Sequence, residues 1–522
     1  MYHIKVLASL DDRLDAEFYN PEALRTIQRM EDVGEVVTLG SLIQEGYRVV
    51  YHGTDSINGL KQNQLLSFLS PTQIDKDGAI SFETADQLPK HYKDEYPKGL
   101  AKEGELLVEV KGNVSKVAVV PSVFPKNLMI SGSLYKASIN QNEADTHYVL
   151  AFLKSASGQV LKDRLTSNTI INYIAKDALY SIPVFKISML AQKYIGEKVR
   201  QAERLRAWAK QIEIDTHEVF NASIEWDKSV LNVKNYGYVK LAELDGRLDL
   251  KYNSPERLAV LRHLKKQRIE ATSLSSICSI SAMIGWKGLT TEFYRESGPW
   301  LLRGVEFKKG VIDTEGLVCV DEFKYNEQPQ IHLKEGDLAF SKDGTIGKAI
   351  VIPKLRNRLA AGSTIARLRM KGSTNPYYLE FVLSHSIVQA QIESFATGIA
   401  QPHITQEWIA KLEIPKVDCE EKIAEYWNTH HLALNSAKSL TKLANLLVED
   451  LIDGQLNESQ LVSAQQALEA GDDSLDRALL ERMTAEGVDA ESDPLFDDID
   501  QLYDLLDQAK QALDAGNSMA EA

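Results

Sequence analysis

Cysteine is scarce in this chain of 522 residues: Cys278, Cys319 and Cys419 are far apart and odd in number. Their spacing excludes a closed disulfide framework and a C-x-x-C zinc site, so they read as reduced packing residues, the usual place of a free thiol. No apolar run reaches the roughly 18 residues that a membrane-spanning helix needs. The opening MYHIKVLASLDDR lacks the basic flank, apolar stretch and cleavage site of a secretory signal, and a cytoplasmic protein without membrane attachment is expected. Proline is also sparse, with 15 residues, and charge is plentiful, so the chain reads as soluble globular protein of more than one domain. Positive charge is not in excess: the formal net is -15, which at face value argues against a nucleic-acid partner. The deficit is local, however. From Leu456 to Ala522 there are 17 acidic against three basic residues, whereas the preceding residues are balanced to within one charge and leave room for a basic face.

The clearest positive feature is a duplication. LDDRLDAEFYNPEAL at 10–24 returns as LDGRLDLKYNSPERL at 244–258, with eight of fifteen positions identical. LAKEGELLVEVKGNVSKVAVVP at 100–121 has its counterpart in LKEGDLAFSKDGTIGKAIVIP at 333–353. The offset is 234 at Leu10 and 232 at Lys102, Gly112, Pro121 and Pro183, a drift too small for chance similarity. A period this long makes each copy a domain rather than a solenoid unit.

Within each copy, short apolar alternations (LLVEVKG, KVAVVP, KAIVIP, STIARLRM) between turn residues predict strands. HYVLAFLKSA and PYYLEFVLSH predict a helix after them, and each globular part closes at a proline, in SIPV and EIPK. Long helix-forming segments follow. Ala191, Ile195, Ala202, Leu205, Ala209, Ile212 and Val219 form a 4,3 seam that misses only Lys198 and Thr216. Cys419, Ile423, Tyr426, His430, Ala433, Ala437, Leu440, Ala444, Leu447 and Leu451 form a second in the same heptad phase. Two such helices suit a pseudo-symmetric pair, although each could also pack only on its own domain.

In this order, repeated twice, the chain resembles the DNA specificity subunit of type I restriction-modification enzymes over about residues 1–455. The resemblance rests on the R-L-D openings (Arg13, Leu14, Asp15 and Arg247, Leu248, Asp249) and on the E-G-E-L and E-G-D-L turns at 103–106 and 335–338. The loop Lys342–Lys348 and the closing stretch Gly398–Pro415 complete it. It implies an α+β chain of two tandem β-rich target recognition domains, each followed by a long helix, the two helices packing as an antiparallel coiled coil. The expected bounds are 1–185 and 223–417 for the domains with their linker, 186–222 and 418–455 for the helices, and 456–522 for a helical acidic tail that the family lacks. The implied function is non-catalytic: each domain reads half of a bipartite, asymmetric site in double-stranded DNA. Two methyltransferase modification subunits, and a restriction or translocase subunit, would be the partners. The chain would hold no cofactor, and S-adenosylmethionine would belong to the methyltransferase. Two like readers must sit about a duplex turn, roughly 34 Å, apart. A helix over Lys186–Ala222 would span about 55 Å at roughly 1.5 Å per residue, and its length would set the gap between half-sites.

Base reading needs paired donors or acceptors in a groove, with phosphates held by cations and amides. The candidates in the first copy are Tyr47 and Arg48, then Lys111, Asn113 and Lys116 in VKGNVSK, and Asn168 in TSNTII. In the second they are Trp286 and Lys287 in GWKGLT, Lys342, Gly344 and Lys348 in SKDGTIGK, and Gln401 and His403 in IAQPHIT. A glycine-lysine hairpin is equally the form of a solvated turn, and Arg13, Asp15, Arg247 and Asp249 read as structural ties of an extended segment.

Three rival readings arise from the same residues. Glu109-x-Lys111 has the acid-x-lysine pattern of metal-dependent nucleases, but its duplicate is Ser341 and Asp343. Asn375-Pro376-Tyr377-Tyr378 approaches the base-gripping motif of amino-methyltransferases, without a Gly-rich loop for the methyl donor. The tail, with Phe496, Ile499, Leu502, Leu505 and Leu506 at helical spacing among acids, suggests an adaptor or DNA mimic in a phage-defence complex. Such a tail would dock on a partner or lay its carboxylates over the DNA-binding surface.

Overall fold

Both copies begin with a capped helix that the sequence writes as polar residue, proline, glutamate. Asn20 accepts the N–H of Glu22 at the start of Pro21–Val33, and Ser254 accepts that of Arg257 at the start of Pro255–Lys266. Proline at the first helical position gives up a donor that would have had no partner there. The computed structural model describes residues 16–51, 55–167, 171–233, 248–283, 289–308, 310–398, 401–486 and 495–520. Arg13, Leu14, Asp15 and Arg247 lie outside the described residues, as do Asn168, Trp286 and Lys287. The chain is mixed helix and sheet and divides into two compact units, one of Met1–Leu205 with Ser436–Ala522, the other of Arg206–Asn435.

The first unit holds a four-stranded sheet of β1 (Ile43–Tyr47), β2 (Leu106–Glu109), β3 (Val117–Val119) and β4 (Leu134–Ile139), in the order β1-β4-β2-β3. The second holds β5 (Cys278–Ala282), β6 (Leu338–Ser341), β7 (Ala349–Val351) and β8 (Ile365–Met370), in the order β5-β8-β6-β7. Register repeats along with order. Leu106 faces Val119 as Leu338 faces Val351, and Glu109 faces Leu134 as Ser341 faces Ile365. Each unit adds a second sheet containing one parallel pair, Phe68 opposite Met129 in one and Trp300 opposite Leu359 in the other. Side chains alternate faces along a strand, so a one-residue slip would turn the apolar set outward; equal registers are therefore what a duplicated core keeps.

The motifs of the repeat turn out to be joints. In the E-G-E-L turn Glu105 accepts the N–H of Lys102 at 2.8 Å and pairs with Lys136 of β4 at 2.8 Å, both side chains being buried. In the E-G-D-L turn Asp337 accepts the N–H of Lys334 at 2.8 Å and pairs with Arg369 of β8 at 2.6 Å. Asn375 is the N-cap of Pro376–Ser384, and the Tyr378 hydroxyl donates to the Pro415 carbonyl at 2.6 Å. Asp145 and Tyr148 do the same for Thr146–Lys154 and the Phe185 carbonyl, so the Asn-Pro-Tyr-Tyr segment is a helix start rather than a base grip. Asp249 accepts the N–H of Tyr252 at 2.9 Å, a local turn contact of the kind expected of it.

Two long helices, α1 (Met189–Ser223) and α2 (Glu420–Ile452), follow the globular parts, and both contain a unit boundary. In the first unit the seam positions Ala191, Ile195, Ala202 and Leu205 are buried, and so is the polar step Lys198. In the second unit Thr216 is buried as well, its hydroxyl donating to the Ile212 carbonyl, and His430 of α2 meets the Ala209 carbonyl of α1 at 2.8 Å. The tail forms α3 (Glu458–Glu469), α4 (Ser474–Glu486) and α5 (Ile499–Ala520). Its acids turn onto α1 and the residue preceding it. Glu458 accepts the Ser188 N–H at 2.9 Å, Glu469 takes Lys193 at 2.5 Å and Asp476 takes Lys198 at 2.6 Å. Of the tail's carboxylates, expected either on a partner or over a DNA-binding surface, these three are thus ligands of the chain's own helix and the residue before it.

Candidate nucleic-acid interface

One end of each four-stranded sheet carries a seven-residue loop, at 110–116 between β2 and β3 and at 342–348 between β6 and β7. The residue that ends the preceding strand shapes each loop. Glu109 is buried, and its carboxylate accepts the N–H groups of Asn113, Ser115 and Lys116, each at 3.1 Å. Gly112 lies against it with φ 127°, where a Cβ would fall 2.5 Å from a Glu109 oxygen. In the second unit the Ser341 hydroxyl accepts the Lys348 N–H at 2.9 Å and donates to the Thr345 carbonyl at 2.6 Å. Gly344 supplies the left-handed turn at φ 75°. The acid-x-lysine pattern is therefore a loop clamp: both Glu109 oxygens are engaged by amides. Replacing Glu109 by alanine strands three amide donors. It is expected to cost about 1–3 kcal/mol and to abolish hydrogen-exchange protection at Asn113, Ser115 and Lys116; retained protection would contradict the clamp.

The first loop gathers a cationic, aromatic edge. Tyr47 of β1 faces Lys136 and Glu109 faces Leu134, which puts Tyr47, Arg48 and the loop at the same end of the sheet. Lys111 and Asn113 are exposed and Lys116 is half-buried. Lys111 pairs in an antiparallel bridge with Tyr173, and Gly112 with Asn172. Arg48 donates from Nε to the Gly132 carbonyl at 2.6 Å and from Nη1 to the Tyr173 hydroxyl at 3.2 Å, its guanidinium 5.2 Å from the Tyr173 ring centre. Lys98 stands 5.7 Å from the centre of the Tyr47 ring.

The second loop is built alike and charged differently. Lys348 and Gln401 are exposed. Asp343 bridges to His403, the Gly344 N–H donates to the Pro402 carbonyl at 2.9 Å, and Ile404 donates to the Lys342 carbonyl at 2.9 Å. Lys342 departs from expectation: its side chain is only 13% exposed and pairs with Asp343 at 2.5 Å. Asp343 also engages His403 Nδ1, so one carboxylate holds both candidates. Gly344 forms the turn, and its amide is taken. Of the candidates at this loop, those left on the surface are Lys348, Gln401 and the exposed part of the His403 ring.

Tyr173 and Lys98 were not among the sequence candidates. Tyr173 faces Lys111 as His403 faces Asp343, and these positions are 230 and 232 residues apart, so the repeat itself carried the signal for Tyr173. Lys98 gave none, because it comes from a separate 3-10 turn, Pro97–Gly99.

No family model matches the sequence, and no curated protein does. Among solved structures the chain is similar to the S subunit of a type I restriction-modification system from M. genitalium. That match has 12% identity and a TM-score of 0.34, covering 83% of this chain and 95% of that one. It is also similar to the HsdS subunit from Thermoanaerobacter tengcongensis, with 14% identity and a TM-score of 0.26 over 81% of this chain and 97% of the other. A third similar structure belongs to a study of complex assembly and conformational transition in the type I R-M system, at 14% identity and a TM-score of 0.28, covering 81% and 98%.

Proposed function

We propose that the chain is a DNA specificity subunit of the type I restriction-modification kind. Each of its two copies reads one half of a bipartite, asymmetric site in double-stranded DNA. One observation carries this reading: an amide-clamped loop is built twice, at the same end of two sheets of the same strand order and the same hairpin register, with different side chains on its outer face. Lys111, Asn113, Arg48 and Tyr47 in one copy, and Lys348, Gln401 and His403 in the other, offer donors and aromatic surface, as base and phosphate contacts require. Unlike faces predict unlike half-sites. Methylation is assigned to partner methyltransferase subunits that hold S-adenosylmethionine, with a restriction or translocase subunit as a further partner. This chain contributes the choice of site.

Selection of duplexes from a random library by the purified full-length chain tests the reading. Two enriched blocks of different sequence, with affinity falling steeply as salt rises, are expected. Enrichment of a single palindromic block would contradict two unlike half-sites, and no enrichment at any salt would favour the adaptor alternative instead.

A further inference from the structure

Arginines of the first unit whose partners are described mostly face acids: Arg29 pairs with Asp453, Arg200 with Asp145 and Glu197, and Arg204 with Glu197. Arg48 does not. It is half-buried, and among the described residues its contacts are a carbonyl, a phenol hydroxyl and the face of a tyrosine ring. None of these cancels its charge, and together they fix its plane. Nε and one hydrogen of Nη1 are engaged, which leaves three of the five N–H groups for another acceptor. A guanidinium held rigidly by neutral acceptors beside the exposed Lys111 and Asn113 is arranged to recognise something with two adjacent acceptor atoms.

Resting on the specificity reading above, we infer that Arg48 is the guanine-reading residue of the first half-site, donating to O6 and N7 in the major groove. Guanine and a phosphate both present paired acceptors to a guanidinium. The fixed plane favours the base. A base edge demands one orientation, and bidentate donation is the means by which arginine distinguishes guanine, whereas the mobile ammonium of Lys111 suffices for a phosphate. Tyr173 is the positioning residue: its hydroxyl and ring hold the guanidinium, and as the bridge partner of Lys111 it ties that hold to the loop.

The test compares full-length wild type, Arg48→Lys, Arg48→Ala and Tyr173→Phe. Each is selected against a random duplex library, and Kd is then measured on the wild-type consensus and its single-base variants over a range of salt. Wild type is expected to require guanine at one position of the block that depends on Arg48. Arg48→Lys and Arg48→Ala should lose about 5- to 150-fold of that discrimination, with the other positions intact and the second block unchanged. Tyr173→Phe should loosen the same position by less. A uniform loss over all sequences with the salt slope reduced by about one would assign Arg48 to a phosphate and overturn the inference, as would unaltered discrimination in Arg48→Lys. A wild-type pool with no enriched sequence would instead overturn the specificity reading, and this inference with it.

Discussion

Replacing Asp476 by alanine is expected to destabilise the first unit by about 3–5 kcal/mol, the usual range for removing one partner of a buried ion pair. Lys198 and Asp476 have side chains only 1% and 2% exposed, and their atoms lie 2.6 Å apart. The Asp476 carboxylate also accepts the hydroxyls of Tyr194 and Tyr503, each at 2.5 Å. Burial alone would push this carboxyl up, but the Lys198 ammonium and the two hydroxyls outweigh it and hold the carboxyl below its ordinary value. The contribution is therefore present above the ordinary carboxylate pKa and lost as pH falls through the depressed folded value. Truncation leaves the ammonium buried without a counter-charge and two tyrosines without an acceptor. Thermal and urea unfolding of the full-length protein check this, and a loss below about 1 kcal/mol would show that the site relaxes or admits water. Replacing both partners, Lys198→Met with Asp476→Leu, should restore most of the loss, since the attraction mainly offsets desolvation.

A second buried lysine of the same unit should give the opposite sign. Lys162, in the helix Ala156–Asp163, is fully buried, and its Nζ has no hydrogen-bond partner among the described residues. Burial, helped by the Lys154 charge, pushes its ammonium down to about 7, against a smaller pull from Asp163 and Glu109. Because the folded value lies below the unfolded one, the unfolded chain binds more protons between them, and stability should rise as pH goes from about 7 to about 10.5. Lys162→Met removes the ionisable group and keeps the stem's volume. It is expected to stabilise the unit by on the order of 3 kcal/mol at neutral pH, at about 1.4 kcal/mol per pKa unit with allowance for relaxation, and to flatten that rise. Denaturant midpoints measured across this pH range decide it; an unstabilised variant with an unchanged pH profile would mean that the amine is solvated.

Much of this architecture was legible because duplication preserves spacing. The constant offset between Lys102 and Lys334, or between Pro183 and Pro415, announced two equal units, and the structure repeats their sheet order and register. The 4,3 seams marked both long helices, and Lys198 stood out as a polar step. What periodicity could not supply was its partner, since Asp476 lies 278 residues away in a tail with no counterpart in the repeat. The loops were legible as loops, and most of the first-copy candidates do converge there. Their chemistry was not. Lys342 and Lys111 look alike in sequence, yet an acid at 343 pairs with Lys342, while no ion pair of Lys111 is described. Glu109 has the spacing of a metal ligand in sequence, yet its oxygens lie on three amides. Sequence spacing fixes which elements recur, but whether a side chain faces outward depends on neighbours that only the folded chain brings near.

The central claim is that two homologous but unlike surfaces each choose part of one DNA site. Its most direct measurement is the bound-sequence profile of full-length protein carrying Lys348→Ala and Gln401→Ala together, set beside that of wild type. The double variant is expected to keep the block belonging to the first copy and to lose or change the other. An identical profile, or a proportional loss across both blocks, would contradict division of the site between the two copies.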